Sequence, residues 1–195
     1  AIFIDDNSNE VFIDRKTGEY TTEENGSKFF LDYYTFERDF DYKDEKSFGS
    51  YKTLLAGNYL PAMSYVIKLD KIREVGAWTS GNTIEDWEMW LKLSKNYKFA
   101  YIDEPVAFYR WHNSNTCKTM KFELVRDSIQ FLEEEKNYAF SKGYKSAFYT
   151  TLVNLVIQLR IHNKSMLIKK LIQYSINPVF VYLFVLKLIH KIQKY

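Results

Sequence analysis

Two adjacent acids sit in the most chemically suggestive stretch of the chain, Thr83-Ile84-Glu85-Asp86-Trp87-Glu88-Met89-Trp90-Leu91-Lys92-Leu93. The apolar spacing predicts a helix over 84–96 started by Thr83, with Glu85 and Asp86 in its first turn. A carboxylate fixed at a helix start can take a proton from a hydroxyl nucleophile. The same residues also read as a helix cap. Thr83 with an acid three residues later resembles a capping box, and acids there suit the helix dipole. A second stretch runs Tyr101-Ile102-Asp103-Glu104-Pro105-Val106-Ala107-Phe108-Tyr109-Arg110-Trp111-His112. Strand alternation puts Val106, Phe108, Arg110 and His112 on one face, and Ala107, Tyr109 and Trp111 on the other. Arg110 and His112 would project together from the strand end, where α/β sheets place ligands. A guanidinium suits a diphosphate, and an imidazole suits a divalent metal or a phosphate. The plainer alternative is an edge strand with a surface arginine and a satisfied histidine.

The elements that must position these groups can be read from pattern. Residues 1–20 read as two short strands joined by Asn7-Ser8-Asn9, with a turn at Lys16-Thr17-Gly18. Residues 21–50 are polar and acidic and read as a loop with one short helix. A strand is expected after Pro61, and a helical turn or two over Leu69 to Val75, stopped by Gly76. Gly81-Asn82 reads as a turn, and 98–102 and 106–112 as strands. From Lys121 onward the period is helical, with helices near 121–141, 144–162, 164–174 and 177–194. The body is thus expected to be mixed α/β, with helices packed on a sheet, over residues 1–117. The tail, 118–195, is expected to be all helix.

Composition bounds the function. The chain has 195 residues, 46% hydrophobic and 27% charged, so it can bury a core and is neither disordered nor collagen-like. A single cysteine, Cys117, excludes an internal disulfide framework and a Cys-rich zinc site. The net charge of +2 hides an asymmetry. All 25 acids lie at or before Glu135, and the segment beyond carries nine Lys and one Arg with no acid. An acidic body with a basic tail suggests that the tail meets something anionic. Ala1 to Asp6 lacks the pattern of a secretory signal. The longest run free of strongly polar residues, Pro178 to Leu186, falls short of the roughly 20 residues that span a bilayer.

Taken in series, Asn58-Tyr59-Leu60-Pro61-Ala62-Met63-Ser64, Val75-Gly76-Ala77-Trp78, Glu85-Asp86-Trp87-Glu88-Met89-Trp90 and Tyr109-Arg110-Trp111-His112 resemble the second half of a family 2 glycosyltransferase of the GT-A fold. The resemblance covers residues 1–117. It implies the C-terminal half of a GT-A, Rossmann-like sheet followed by the helical tail. It also implies inverting transfer of a sugar from a nucleotide-diphosphate donor to an acceptor hydroxyl, in surface polysaccharide or glycolipid synthesis. On that carry-over Asp86 matches the catalytic base, with Glu85 its acidic neighbour. His112 matches the histidine that helps hold a divalent metal (Mg or Mn) at the diphosphate, and Arg110 lies beside it. Trp87 and Trp90 would support the acceptor site or the helix packing. Ala77 and Trp78 replace a second Gly and a Phe common in the family. The family's metal-binding Asp-x-Asp precedes the part seen here. Asn7 to Tyr20, directly after Asp5-Asp6, resemble the strand–turn–strand that the family places beyond that motif. The metal is therefore conditional on a nucleotide-binding half supplied elsewhere, and the 195 residues alone are expected to be inactive.

In the tail, Lys187, His190, Lys191 and Lys194 form a basic stripe at helical spacing, opposite Val185, Leu186, Leu188, Ile189 and Ile192. Such a helix over 177–194 can lie on an anionic membrane surface or pack on the body with its lysines in water. The resemblance implies a glycan or lipid-linked acceptor and a cytoplasmic location, peripheral on the inner face of the cell membrane. Nucleic acid is not expected, because the tail aromatics are embedded in apolar helix faces instead of interleaved with Lys and Arg. His162, His190 and Cys117 show no partner at metal or nucleophile spacing. The competing class is a non-catalytic, membrane-associated or partner-binding module in which Glu85 and Asp86 only cap a helix.

Overall fold

Residues 1–35, 40–78 and 81–192 are described in a computed structural model. They form a mixed α/β chain dominated by helix. It divides into two compact units, residues 1–81 with 85–119, and residues 82–84 with 120–195.

The first unit is organised by short strands and large rings. Strand β1 (Ile2–Ile4) runs parallel to the last strand of the unit, β5 (Phe108–Arg110), in the register Ile2 to Phe108 through Ile4 to Arg110. Strands β2 (Phe12–Asp14), β3 (Tyr20–Thr21) and β4 (Gly26–Ser27) make a separate antiparallel sheet in the order β3-β2-β4. Phe3, Ile13, Phe30 and Trp111 form its buried cluster. Phe3 meets Trp111, Tyr33 and Tyr109 edge-on, with ring centroids 5.3, 5.6 and 5.8 Å apart. Each such pair contributes about 0.5–1.5 kcal/mol beyond its buried area. The Trp111 indole N–H donates to the Gly18 carbonyl at 2.8 Å, so the Gly18 turn, at φ +74, is tied to the end of β5.

Helix α1 (Phe30–Thr35) comes after β4, and α2 (Tyr51–Leu55) begins where the Ser50 hydroxyl accepts the Thr53 N–H. The sequence pattern did not foreshadow α2, whose five residues are too few for a period to show. Gly49 before it sits at φ +62, and a Cβ there would run into the Phe99 side chain. Helix α3 (Leu69–Glu74) buries none of its residues. Helix α4 (Glu85–Ser94) buries Trp87, Met89, Trp90, Leu91 and Leu93, and packs on α2. The short α5 (Thr116–Thr119) closes the unit.

Two expected strands are absent. After Pro61 the chain makes one 3₁₀ turn, Ala62–Ser64, closed by Ser64 N–H on the Pro61 carbonyl, and continues without a ladder partner. Residues 98–102 likewise join no sheet. Rings place both segments instead: Tyr65 lies on Trp90 at 3.8 Å, Phe99 meets Trp90 at 6.4 Å, and Tyr101 meets Phe48 at 5.0 Å. Aromatic and β-branched residues suit strands, but a strand also needs a neighbour to accept its N–H groups.

The second unit has the four helices expected: α6 (Lys121–Ser141), α7 (Lys145–His162), α8 (Lys164–Tyr174) and α9 (Pro178–Ile192). Leu132, Phe148, Leu152, Val153, Val156 and Leu159 are removed from water. Burying such a side chain gains about 1.5–3 kcal/mol. The joints are polar and specific. Asn163 accepts the Met166 N–H at 2.9 Å to start α8. Asn177 accepts the Phe180 N–H at 3.1 Å to start α9, and donates to the Tyr149 hydroxyl at 2.7 Å. Lys170 on α8 pairs with Glu133 on α6 at 2.7 Å, and the Tyr174 hydroxyl donates to the same carboxylate. Among the described residues, no helix is long and apolar enough to cross a membrane.

Candidate functional site

Asp86 is carried by the first turn of α4, because Trp87, Met89 and Trp90 behind it face the core and lock the helix. Its two oxygens have different duties. One accepts the Asn58 amide at 3.0 Å, and the other accepts the Trp87 N–H at 2.7 Å. Both donors are neutral. Burial pushes the Asp86 carboxyl above its ordinary range, and its hydrogen bonds, led by those from Trp87 and Asn58, only partly offset this. Glu85 beside it is exposed. The pair is thus asymmetric, with one acid in water and the other held in a partly dry setting.

Tyr65 stands in the field of Asp86. Burial first, then the Asp86 charge, drives its hydroxyl far above the usual tyrosine range. Among the described residues that hydroxyl has no hydrogen-bond partner, and neither has the indole N–H of Trp90, whose ring lies tilted against Tyr65. Trp90 is only 1% exposed. The other two buried tryptophans do find acceptors: Trp87 donates to the Leu54 carbonyl at 2.7 Å, and Trp111 to Gly18. Unpaired buried donors are uncommon and need a reason. Here one of them, Tyr65, lies in the field of a carboxylate of raised proton affinity, and the other belongs to the ring against it. The Asp86 charge also reaches Tyr109, whose phenol is pushed up to about 12 by burial, by the Cys117 thiol and by Asp86.

The strand-end residues are held differently. Phe108 and Arg110 leave the exposed face of β5, and Tyr109 and Trp111 point inward, as the alternation predicts. The Arg110 guanidinium reaches back to the loop after β1, donating to the Asp5 carbonyl and, at 3.0 Å, to the Ser8 hydroxyl. His112 accepts the Ser114 N–H on Nδ1 at 3.2 Å, with the Ser114 hydroxyl 2.8 Å from the same nitrogen. With Nδ1 accepting a backbone N–H, the neutral ring carries its proton on Nε2. It then suits donation to an anion better than ligation of a metal. Among the described residues, no hydrogen bond or ion pair joins Glu85 or Asp86 to Arg110 or His112. Also among them, no group of three His, Cys, Asp or Glu is placed to hold a metal ion. Thr83 does not cap α4. Its N–H and hydroxyl both donate to Asp127, at 3.0 and 2.9 Å.

Sequence reading missed Asn58 as the partner of Asp86 and missed Tyr65 and Tyr109 around it. Asn58 opens the Asn-Tyr-Leu-Pro motif, but nothing local shows that its amide meets a carboxylate 28 residues on. An open hollow of about 480 Å³ is lined by Asp14, Arg15, Lys16, Thr21, Glu24 and Asn25, and includes none of the expected site residues. Of the basic stripe, Lys194 and the side chains of His190 and Lys191 lie outside the described residues. Compared with protein-family models, curated proteins and solved structures, the chain matches none of them.

Proposed function

We propose that this chain is the acceptor-side portion of an inverting glycosyltransferase with a GT-A type sheet, working from a nucleotide-diphosphate sugar in surface polysaccharide or glycolipid synthesis. The observation that carries the reading is Asp86. It is a half-buried carboxylate of raised proton affinity, oriented by Asn58, with the unpaired Tyr65 hydroxyl in its field. A general base is most effective when its proton affinity approaches the working pH. In the reaction the acceptor oxygen bonds to the anomeric carbon, its proton passes to Asp86, and the bond from that carbon to the diphosphate oxygen breaks with its electron pair. The Nε2–H of His112 and the cationic Arg110, near the end of β5, are suited to the anionic leaving group. Arg110 would have to leave Asp5 and Ser8 to reach it. The Mg or Mn of this family would neutralise the diphosphate when bound. With Nδ1 engaged by Ser114 and Nε2 carrying the proton, His112 does not offer that metal a ligand, so its ligands would have to come from an Asp-x-Asp half.

The experiment is a transfer assay with the chain joined to a nucleotide-binding half. Asp86→Asn should lower turnover by about 10²–10⁴-fold with the fold intact. Unchanged turnover would overturn the assignment. The 195 residues alone should give no transfer, and clear turnover by them would overturn the partial character of the reading. One observation favours the non-catalytic alternative: Asp86 also accepts the Trp87 N–H of its own helix. A purely capping role predicts that removing the carboxylate costs about 0.5–2 kcal/mol of stability and nothing specific in turnover.

A further inference from the structure

The outer faces of α8 and α9 carry large apolar side chains that no part of the second unit covers. On α8, Ile168 and Ile172 are exposed, Ile172 at 69%, and Ile176 just beyond the helix end is 91% exposed. At 100° per residue Ile168 and Ile172 lie between Lys164 and Lys169, both exposed, so the stripe has a lysine on each side. On α9, Val181, Tyr182, Val185, Leu188 and Ile189 are exposed. They fall within one arc of about 120° that contains no charge. This arc cannot roll inward. The opposite side of α9 is held by Phe180, which is buried against Tyr174 at 5.0 Å, and by the Asn177 cap that ties the helix start to Tyr149. Tyr174 is held in turn by Glu133. The unit therefore presents standing apolar faces on α8 and α9, and such faces mark docking sites.

We infer that these faces dock in the interface of an anionic lipid bilayer, with the isoleucine stripe of α8 and the aliphatic arc of α9 entering the acyl boundary. Charge decides the occupant. From Lys136 onward the chain has nine Lys and one Arg and no acid. A second copy docked through the α8 stripe would bring the flanking Lys164 and Lys169 against their counterparts, and like charges oppose it. An anionic surface attracts a lysine close to it by about 1 kcal/mol, and the long stems of Lys164 and Lys169 can lie along the apolar boundary with their heads in the headgroups. The chain lies on the bilayer and does not cross it, since no described helix is long and apolar enough. The inference rests on the second unit alone and stands whether or not the sugar-transfer reading holds.

The test is flotation of the full 195-residue protein with vesicles of phosphatidylcholine alone and of equimolar phosphatidylcholine and phosphatidylglycerol. Binding to the anionic vesicles, weak binding to the neutral ones, and weakening by salt are expected. Ile172→Lys and Val185→Asp alter exposed positions, so circular dichroism should show the helices unchanged. Each should cut binding by about tenfold or more. Lys164→Glu with Lys169→Glu should cut it by about tenfold or more on the anionic vesicles only. Absence of flotation with either composition overturns the proposal. So does equal binding to both, or full binding by Val185→Asp. A dimer in solution that Val185→Asp dissociates, without vesicle binding, overturns it in favour of a second copy.

Discussion

Asp86 and Asp127 are both aspartates largely withdrawn from water, one in each unit, and their proton affinities move in opposite directions. Burial raises both. At Asp86 neutral N–H donors, those of Trp87 and Asn58 foremost, answer it, and the carboxyl stays above its ordinary range. At Asp127 the Arg126 guanidinium at 2.8 Å and both donors of Thr83 outweigh burial, and the carboxyl falls below that range. The same side chain thus has its proton affinity lowered in one setting and raised in the other. The contrast extends to the units around them. The helical unit satisfies its buried polar groups at caps and ion pairs. The strand-and-ring unit holds the unpaired Tyr65 and Trp90 donors and a non-glycine residue, Ala77, at φ +57. Unmatched groups and backbone strain collect where function needs them more often than elsewhere.

The sharpest way to break this comparison is Asp127→Ala. It should cost about 1–3 kcal/mol at neutral pH, read from urea unfolding, because three donors lose their acceptor. The loss should shrink in acid. A carboxyl whose folded pKa is lowered stabilises above its unfolded value, and that contribution vanishes as pH falls through the folded one. Ala77→Gly should come next, raising stability by about 1 kcal/mol by relieving the left-handed conformation. Loss of stability there would mean that the alanine methyl matters more than its backbone. Asp86→Asn should have the opposite sign to Asp127→Ala. A carboxyl whose folded pKa is raised favours folding below its unfolded value, and this is lost as pH rises through the raised one. The substitution should therefore raise the melting temperature at pH 7 and do little in acid. A lower melting temperature at pH 7 would make Asp86 a structural cap. The smallest effect belongs to Asn58→Ala, which should move the Asp86 titration still higher in an NMR pH series. An unmoved or lower value would remove Asn58 from the site.

Much of the helical unit was legible in advance. The 3.6-residue period over 121–194 gave four helices whose ends match to within a few residues, apart from the last, expected at 194 and outside the described residues, because Gly143, Asn163 and Asn177 act on their own chain neighbours. The strand-and-ring unit was legible only in parts. Alternation placed Phe108 and Arg110 outward and Trp111 inward. The strands expected at 98–102 and after Pro61 failed, since nothing in those segments says whether a neighbour offers hydrogen bonds. Thr83 illustrates the limit within one residue. Its type suits a cap, but its hydroxyl goes to an acid 44 positions away. The replacement of a second Gly by Ala77 looked minor by residue type, and only its φ makes it a strained position.

The sequence by itself determined the order of acidic body and basic helical tail, the helix that carries Glu85 and Asp86, and the inward and outward faces of β5. These come from local periodicity and from charge, which any window of the chain displays. Tertiary structure alone decided that β1 pairs with β5 across more than a hundred residues, that Asn58 and Tyr65 gather about Asp86, and that Arg110 turns back to Asp5 and Ser8. Those are choices among partners far apart in the chain. Packing and desolvation settle them together, and no single stretch of residues contains the answer.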